Sequence, residues 1–321
     1  MGGAWEDPRL SPVDPERAIL GKIGSDYYGI PRIMDILEEY GLRGVFFTEV
    51  FAGLNGFQPA LTEAYSQIVK RGHEVQLHLH PIHYYYRLRN DGRLEPEKMP
   101  LDKDMIGAHT LEKQVEMLQK GASLFEKMTG RAPTTFRAGN FGASQSTLEA
   151  LDKVGICVDS SFNAAYLNSG CMLDSHGAVN RTWRHGHIWE IPVTTFRTGA
   201  WGWSGLKQLN INAVSIWEMK GVLEQADHLG LRAVTFIAHS FSLFKVGDLQ
   251  FREMKPDRLV LRRFQGLCRF LKENTERFRV AGFSDIDPES LLGEEKAVPK
   301  MGIFIPAVRK VVQAVNRLHW L

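Results

Sequence analysis

Three histidines fall within six residues, at His78, His80 and His83, in a chain that holds eleven in all. They close the run Arg71-Gly-His-Glu-Val-Gln-Leu-His-Leu-His-Pro-Ile-His83, where apolar Val75, Leu77 and Leu79 alternate with polar Glu74, Gln76 and His78. A period of two is that of a strand, here begun after a helix stop at Gly72 and ended by Pro81. Residues two apart on a strand share a face, so His78 and His80 leave it together with Cβ atoms about 6–7 Å apart. Two imidazoles so placed can reach one divalent ion at about 2.0–2.1 Å from nitrogen, and His83 follows in the loop. A histidine at a strand end is also a common hydrogen-bonded structural residue, so metal binding and packing both stay open on the triplet alone.

The same kind of position recurs along the chain. In parallel α/β folds the site forms at the carboxyl ends of the strands. The run Phe136-Arg-Ala-Gly-Asn-Phe-Gly-Ala143 puts Arg137 at such an end, with Gly139 and Gly142 in the tight turn beyond it. Asp159-Ser160 and His239-Ser240 close two further strands. Taken singly, Arg137 could pair with a structural carboxylate, Asp159 could cap the next turn, and His239 could be a buried histidine bonded to backbone. Their joint occurrence at strand ends is what points to a shared site.

A repeating helix–strand unit delivers these ends. Ile33, Ile36, Leu37 and Tyr40 form one apolar helical face, Gly41 stops the helix, and Gly44–Val50 reads as a buried strand. The unit recurs as helix Ala60–Arg71 with strand His73–His80. It recurs again as a helix through Leu111, Val115, Leu118, Ala122 and Phe125 with strand Thr134–Ala138. A helix capped by Ser146 and Glu149 then leads to Ile156–Asp159. Beyond it the pattern predicts a strand Ile188–Phe196 with Pro192 at an edge or bulge, and a helix Asn212–Leu229 with Asn212 as N-cap. A fully buried strand Arg232–Ala238, a helix Pro256–Lys272 and a short strand Arg279–Phe283 complete it. Strands alternating with helices imply parallel pairing with helices outside. Long loops are expected at 84–109, opening on Tyr84-Tyr-Tyr86, and at 161–187, which carries His176, His185 and His187.

Composition narrows the class. A net charge of +2 is too small to favour nucleic acid or an anionic surface. Cys157, Cys171 and Cys268 are odd in number and widely spaced, which offers no disulfide framework and fits a reducing compartment. No apolar run approaches the roughly 20 residues that span a bilayer, and Met1–Asp7 lacks the features of a signal peptide, so a cytoplasmic placement is expected. The organisation predicted is an irregular linker over 1–28, one (β/α) domain over 29–290, and a tail over 291–321. Residues 303–321 place Ile305, Val308, Val311, Val312, Val315 and Leu318 on one helical face, suited to docking on the body, a partner or a membrane surface.

Set in order, these stretches resemble the polysaccharide deacetylase family, the NodB-homology carbohydrate esterases, in the branch whose second motif reads His-Leu-His-Pro. The matching pieces are Tyr28–Leu37 leading to Val45-Phe-Phe47, Gly72–Pro81, Phe136–Gly142, Gly155–Ser161, Trp189-Glu-Ile-Pro192 and Phe236–Ser242. The resemblance runs over roughly residues 17–285. It implies a distorted, seven-stranded (β/α) barrel, a carbohydrate substrate, and a divalent metal, usually zinc, that supports hydrolysis of an acetamido group. Carried over, His78 matches the first metal histidine. The second stands four residues later in the family, where this chain has Ile82, so His80 takes that place by geometry with His83 in reserve. Arg137 matches the arginine that orients the catalytic carboxylate, backbone near Asn140–Phe141 lies at the oxyanion position, and His239 matches the histidine that protonates the leaving amine. Asp159, at the next strand end, is a further candidate catalytic group.

One motif is missing. The family's first strand ends in Asp-Asp or Asp-x-Glu ahead of the Tyr-Gly-Ile-Pro helix, whereas residues 1–28 hold Asp7, Asp14 and Glu16 among prolines without an apolar strand. The expectation is a barrel lacking its first strand and the carboxylates it carries. Three functions follow from it: a metal-dependent N-deacetylase impaired by truncation, a catalytically dead carbohydrate-binding or assembly protein, or a hydrolase of another non-peptide C–N bond. Trp201, Trp203 and Tyr84–Tyr86 are candidates for stacking on sugar rings. Oligomeric state is not legible.

Overall fold

The structure is a computed structural model that describes residues 15–95, 98, 104–167, 169–198, 205–248, 250–294 and 297–302. Trp201, Trp203 and the amphipathic segment 303–321 lie outside the described residues. Within 15–28 the chain is not a plain linker: Pro15–Ala18 makes one helical turn, and Lys22–Ile23 pairs with Asp26–Tyr27.

Helix α1 (Ile30–Glu39) has Pro31 in its first turn and buries Ile33, Ile36 and Leu37. Strand β1 (Val45–Glu49), helix α2 (Gln58–Lys70) and strand β2 (Glu74–Leu79) follow. Pro81 ends β2 by opening helix α3 (Pro81–Asn90), since its missing N–H is no loss at a helix start. The expected long loop therefore begins only after Asn90, and His83 is helical rather than in a loop. Tyr84 and Tyr86 turn into the core, which removes them as sugar-stacking groups. Helix α4 (Leu111–Thr129), strand β3 (Thr135–Ala138), helix α5 (Gln145–Val154) and strand β4 (Val158–Asp159) continue the repeat. The cap of α5 is Ser144 with Thr147, two residues ahead of the Ser146–Glu149 pair expected.

The run 188–196 does not form one strand. Trp183–His185 (β5) and Ile188–Glu190 (β6) join the main sheet, while Thr195–Thr198 (β7) pairs with Gly205–Gln208 (β8) in another. Pro192 stands at the break, where a missing N–H cannot serve a ladder. Helix α6 (Ile216–Leu229) starts later than expected because Ser215, not Asn212, forms a reciprocal capping box with Glu218. Helix α7 (Arg258–Glu273) is capped by Asp257, and Lys300–Met301 (β9) runs parallel to β7.

The main sheet has the order β1-β2-β3-β4-β6-β5, all parallel except β5. The second sheet is β8-β7-β9. This is a mixed α/β fold in which β1 is the last strand of the main sheet on its side among the described residues. Two segments expected as strands are not sheet strands. Residues 232–238 are mostly half-exposed and join their neighbours through a bridge between Ile237 and Asn210 and a bond from Thr235 N–H to Thr194 Oγ1, while 279–282 stay irregular and Phe283 opens a short 3-10 turn. A strand needs a partner on its flank, and among the described residues neither segment has one on the side facing β1.

The apolar interior falls into two clusters. One gathers Leu77, Leu79, Phe136, Phe125, Leu61 and Leu148 behind the main sheet. The other gathers Ile36, Phe196, Val222, Val260 and Leu267 beneath α6 and α7. Helix α1 is shared, giving Ile30 and Met34 to the first cluster and Ile33, Ile36 and Leu37 to the second.

Candidate functional site

Sheet register brings the polar groups together. Cα pairing sets Glu49 beside His78, and His78 beside Arg137, so three neighbouring parallel strands project these side chains in one row. His80 follows just past the end of β2, its ring 5.0 Å from that of His78 and nearly perpendicular to it. All four residues line one cavity of about 990 Å³, together with Asp104, Asn140, Phe141 and His239. His239 thus stands at the same end of the fold as His78, although it lies 161 positions further along the chain.

Each imidazole is oriented by a partner. Nδ1 of His78 donates to the carbonyl of Arg137 at 2.6 Å. Nδ1 of His80 donates to Oδ2 of Asp104 at 2.7 Å, and that same oxygen accepts from Asn140 Nδ2 at 3.0 Å. Oδ1 of Asp104 accepts from the backbone N–H of Ile82 at 3.0 Å, which fixes the carboxylate across the start of α3. Gly139 permits this close approach: a Cβ there would lie 2.7 Å from His80 Nδ1 and 2.7 Å from the carbonyl oxygen of Leu79. Asn140 and Phe141 beyond it are held at φ of 55° and 58°, the left-handed region that non-glycine residues rarely occupy. His83 is buried on α3 with its ring 6.0 Å from that of His80, and it does not line the cavity.

Arg137 is held rather than free. Its Nε donates to the carbonyl of Ser160 at 2.8 Å, an Nη donates to Ser160 Oγ at 2.7 Å, and the guanidinium lies 4.1 Å over the Phe47 ring. Burial lowers its pKa, and the charges of Asp159 and Glu190 oppose that fall. Asp159 itself does not reach the cavity. It pairs in register with Phe136, one residue before Arg137, and a shift of one along a strand turns a side chain to the other face. There it lies fully buried beside Glu190, its register partner on β6. Burial raises both carboxyls above their ordinary range, and mutual repulsion raises Glu190 further. One proton shared between the two carboxyls would satisfy Asp159 Oδ2 and Glu190 Oε2, which have no other donor among the described residues.

Two acids at the site escaped sequence reading. Glu49 closes an otherwise apolar strand at its carboxyl end, and that position was the available signal. Its oxygens accept from the backbone N–H groups of Phe51 at 2.9 Å and Ala52 at 2.7 Å, so it caps the turn after β1. Burial raises its pKa to about 7. Asp104 sits in the long loop, where no periodicity marks it.

Burial depresses the pKa of His78 well below the usual histidine value, so the ring is neutral near pH 7. With both Nδ1 atoms committed, His78 and His80 each present Nε2 as a lone-pair donor, the arrangement in which an acceptor behind the ring fixes a metal-binding imidazole. They fit two places of a divalent metal's shell. Among the described residues no group of three or more His, Cys, Asp or Glu side chains is placed to hold an ion. His239 faces the open cavity but is enclosed by protein around it, and this enclosure, with His80 and Arg137 nearby, lowers its pKa to about 4.

Residues 26–158 match the model of the polysaccharide deacetylase family. No curated protein matches the chain. Among solved structures it is similar to a candidate polysaccharide deacetylase from Mycobacterium smegmatis, with 18% identity and a TM-score of 0.51 over 84% of this chain and 80% of that one. At that identity the likeness is one of fold. The peptidoglycan deacetylase PdaC from Bacillus subtilis aligns over 95% of this chain and 99% of its own, at 12% identity and a TM-score of 0.35.

Proposed function

We propose that this chain, whose residues 26–158 match the polysaccharide deacetylase family model, hydrolyses the acetamido group of an N-acetylated sugar or polysaccharide to acetate and a free amine. The observation that carries this reading is the convergence of His78, His80, Arg137 and His239, from two neighbouring strand ends and one distant loop, on a single cavity. The cavity end is rich in nitrogen donors and closed by the turn at Asn140–Phe141, as a site for an anionic tetrahedral species requires.

A divalent metal would be held by Nε2 of His78 and His80, and a nitrogen-donor pair of this kind suits zinc. Bound there, the ion would polarise the amide carbonyl and lower the pKa of a bound water. The chain's own groups do the rest. Arg137, fixed on Ser160 and Phe47, supplies a permanent positive charge beside the reacting centre. His239 is neutral in the open cavity, and a negative group arriving beside it would raise its proton affinity, so that it can protonate the departing amine. Glu49 and Asp104 act as positioning residues, one capping the turn after β1 and the other orienting His80. Asp159 belongs with Glu190 behind Arg137 and touches no substrate. All three cysteines are free thiols, which supports a reducing, cytoplasmic setting.

A second reading is a carbohydrate-binding protein without turnover. Its support is that both carboxylates at the site, Glu49 and Asp104, are already committed to backbone and imidazole donors. Incubating the purified chain with zinc or cobalt and N-acetylglucosamine oligomers, then assaying acetate, separates the two. Acetate release that stops on chelation supports the hydrolase. Oligomer binding without release, at saturating metal, refutes it in favour of the binding protein.

A further inference from the structure

Among the described residues no hydrogen bond reaches the imidazole of His239, unlike those of His78 and His80. Its backbone, by contrast, is tied at both ends. Ser242 Oγ accepts from the His239 N–H at 2.8 Å and donates to Asn212 Oδ1 at 2.5 Å. The Ser242 N–H donates to the His239 carbonyl at 2.9 Å, and Asn212 Nδ2 donates to the carbonyl of Ser242 at 3.0 Å. Ser240 Oγ adds a bond to the carbonyl of Ala18 at 2.9 Å. These bonds fix where the Cα of His239 stands and leave its side-chain torsions unset.

The ring is placed by a neighbour instead. Phe241 lies face to face with it, the centroids 4.9 Å apart and the planes 25° from parallel. Phe241 is itself backed edge-on by Phe251 at 6.0 Å and 80°, and Phe251 by Phe244 at 6.2 Å and 73°. Phe251 is buried with φ of 56°, a conformation that a bulky residue keeps only where its surroundings enforce it. They do so here. Asp248 accepts the N–H groups of Gln250, Arg252 and Glu253, each at 2.7 Å, and the pairing of Phe244–Val246 with Met254–Pro256 holds the hairpin that carries them. An aromatic row beneath a hairpin is ordinarily core packing. In this one the last member, Phe241, is half-buried, lines the cavity, and offers its face to an imidazole.

We propose that Phe241 is the positioning residue for His239, setting the plane of the imidazole in the cavity and backing its protonated form with an aromatic face. The chemical consequence rests on the hydrolase reading, in which His239 protonates the departing amine. A cation over a ring face and within about 6 Å of the centroid is attracted by the ring's quadrupole. Burial, then His80 and Arg137, oppose a positive charge on His239, so the face supplies the contrary influence that an acceptor on a ring nitrogen would otherwise give. A fixed plane also spares the imidazole a search among rotamers before the proton is transferred.

The test uses the full chain as parent, Phe241→Leu and Phe241→Tyr, each checked for folding by circular dichroism. Phe241→Met, which keeps the volume without a ring face, replaces Phe241→Leu if that variant does not fold. The first readout is the NMR order parameter of the His239 ring in protein carrying isotope-labelled histidine, its signal identified by its loss in His239→Asn. A value of about 0.85 in the parent should fall below about 0.6 in Phe241→Leu and recover in Phe241→Tyr. The second is acetate release from N-acetylglucosamine oligomers with zinc. There kcat should drop by about 10–100-fold in Phe241→Leu with KM unchanged, and Phe241→Tyr should restore most of the rate. A folded Phe241→Leu whose His239 ring keeps its order would overturn the proposal, as would lost order with kcat unchanged. A parent that releases no acetate defeats the hydrolase reading instead, and the ring order alone then decides whether Phe241 places His239.

Discussion

Asp104 accepts the Nδ1 proton of His80 at 2.7 Å while its other oxygen is pinned by the Ile82 backbone N–H, so one carboxylate locks both the tautomer and the direction of that imidazole. A residue from an unpatterned loop thereby determines what the second histidine of the His-x-His pair can do.

Asp104→Asn keeps the shape but offers His80 a weaker acceptor, or a donor in the wrong place. Loss of such an outer partner is expected to weaken zinc binding by about 10–100-fold, measured by competition with a chromophoric chelator. Unchanged affinity would show that His80 is not oriented through Asp104.

Gly139→Ala probes the same imidazole from the opposite side. The new methyl would sit 2.7 Å from His80 Nδ1 and equally close to the Leu79 carbonyl, which the β2–β3 ladder holds in place. A stability loss of about 1–3 kcal/mol in urea is expected, accompanied by weaker zinc binding, as overpacking displaces the ring. Loss of stability with intact metal affinity would mean that the backbone yields instead of the histidine.

The Asp159–Glu190 pair gives a pH signature of stability. Both folded-state pKa values are raised, so the native chain binds protons more tightly than the unfolded one. Its contribution is greatest below the ordinary carboxyl value of 4.5 and is lost as pH rises from there toward the raised value. In Glu190→Gln the amide can donate to Asp159 without ionising, and Oε1 still accepts from Phe162 N–H. Urea midpoints from pH 4.5 to 8 should fall with pH in the parent and stay flatter in the variant, which should be at least as stable at pH 8. Parallel curves for the two would remove the pair as the cause.

Ser215→Ala tests the cap that displaced Asn212. The hydroxyl accepts from Glu218 N–H at 3.2 Å and donates to Glu218 Oε2 at 2.9 Å. A loss of about 1–2 kcal/mol is expected by chemical denaturation, at the upper end because Glu218 is buried. Asn212→Ala should not reproduce it through α6, since Asn212 Oδ1 instead accepts from Ser242 Oγ.

Where pattern and partner agreed, the sequence was sufficient. The alternation from Glu74 to Leu79 gave β2, and the helical faces of α1 and α4 followed from their apolar spacing, because local geometry and burial pointed the same way. Reading failed where a neighbour decides the outcome. Arg232–Ala238 has the composition of a buried strand, yet among the described residues no ladder forms on its β1 side. The run 188–196 looked continuous, but Pro192 releases the chain from one sheet into another. At the site, His78, Arg137 and His239 could be placed by the rule of strand ends. The fate of Asp159 could not, because a single step of register between β3 and β4 decides whether it faces the cavity or Glu190.

The division of the apolar interior into two clusters, with α1 lending residues to each, bears on how the molecule comes apart. The links between the halves include α1, Phe46, which packs against both clusters, and the β7–β8 ladder, and an interior divided in this way lets each half melt on its own terms. Denaturation of the chain alone should then show two transitions, and any molecule that bridges the gap would merge them into one cooperative event.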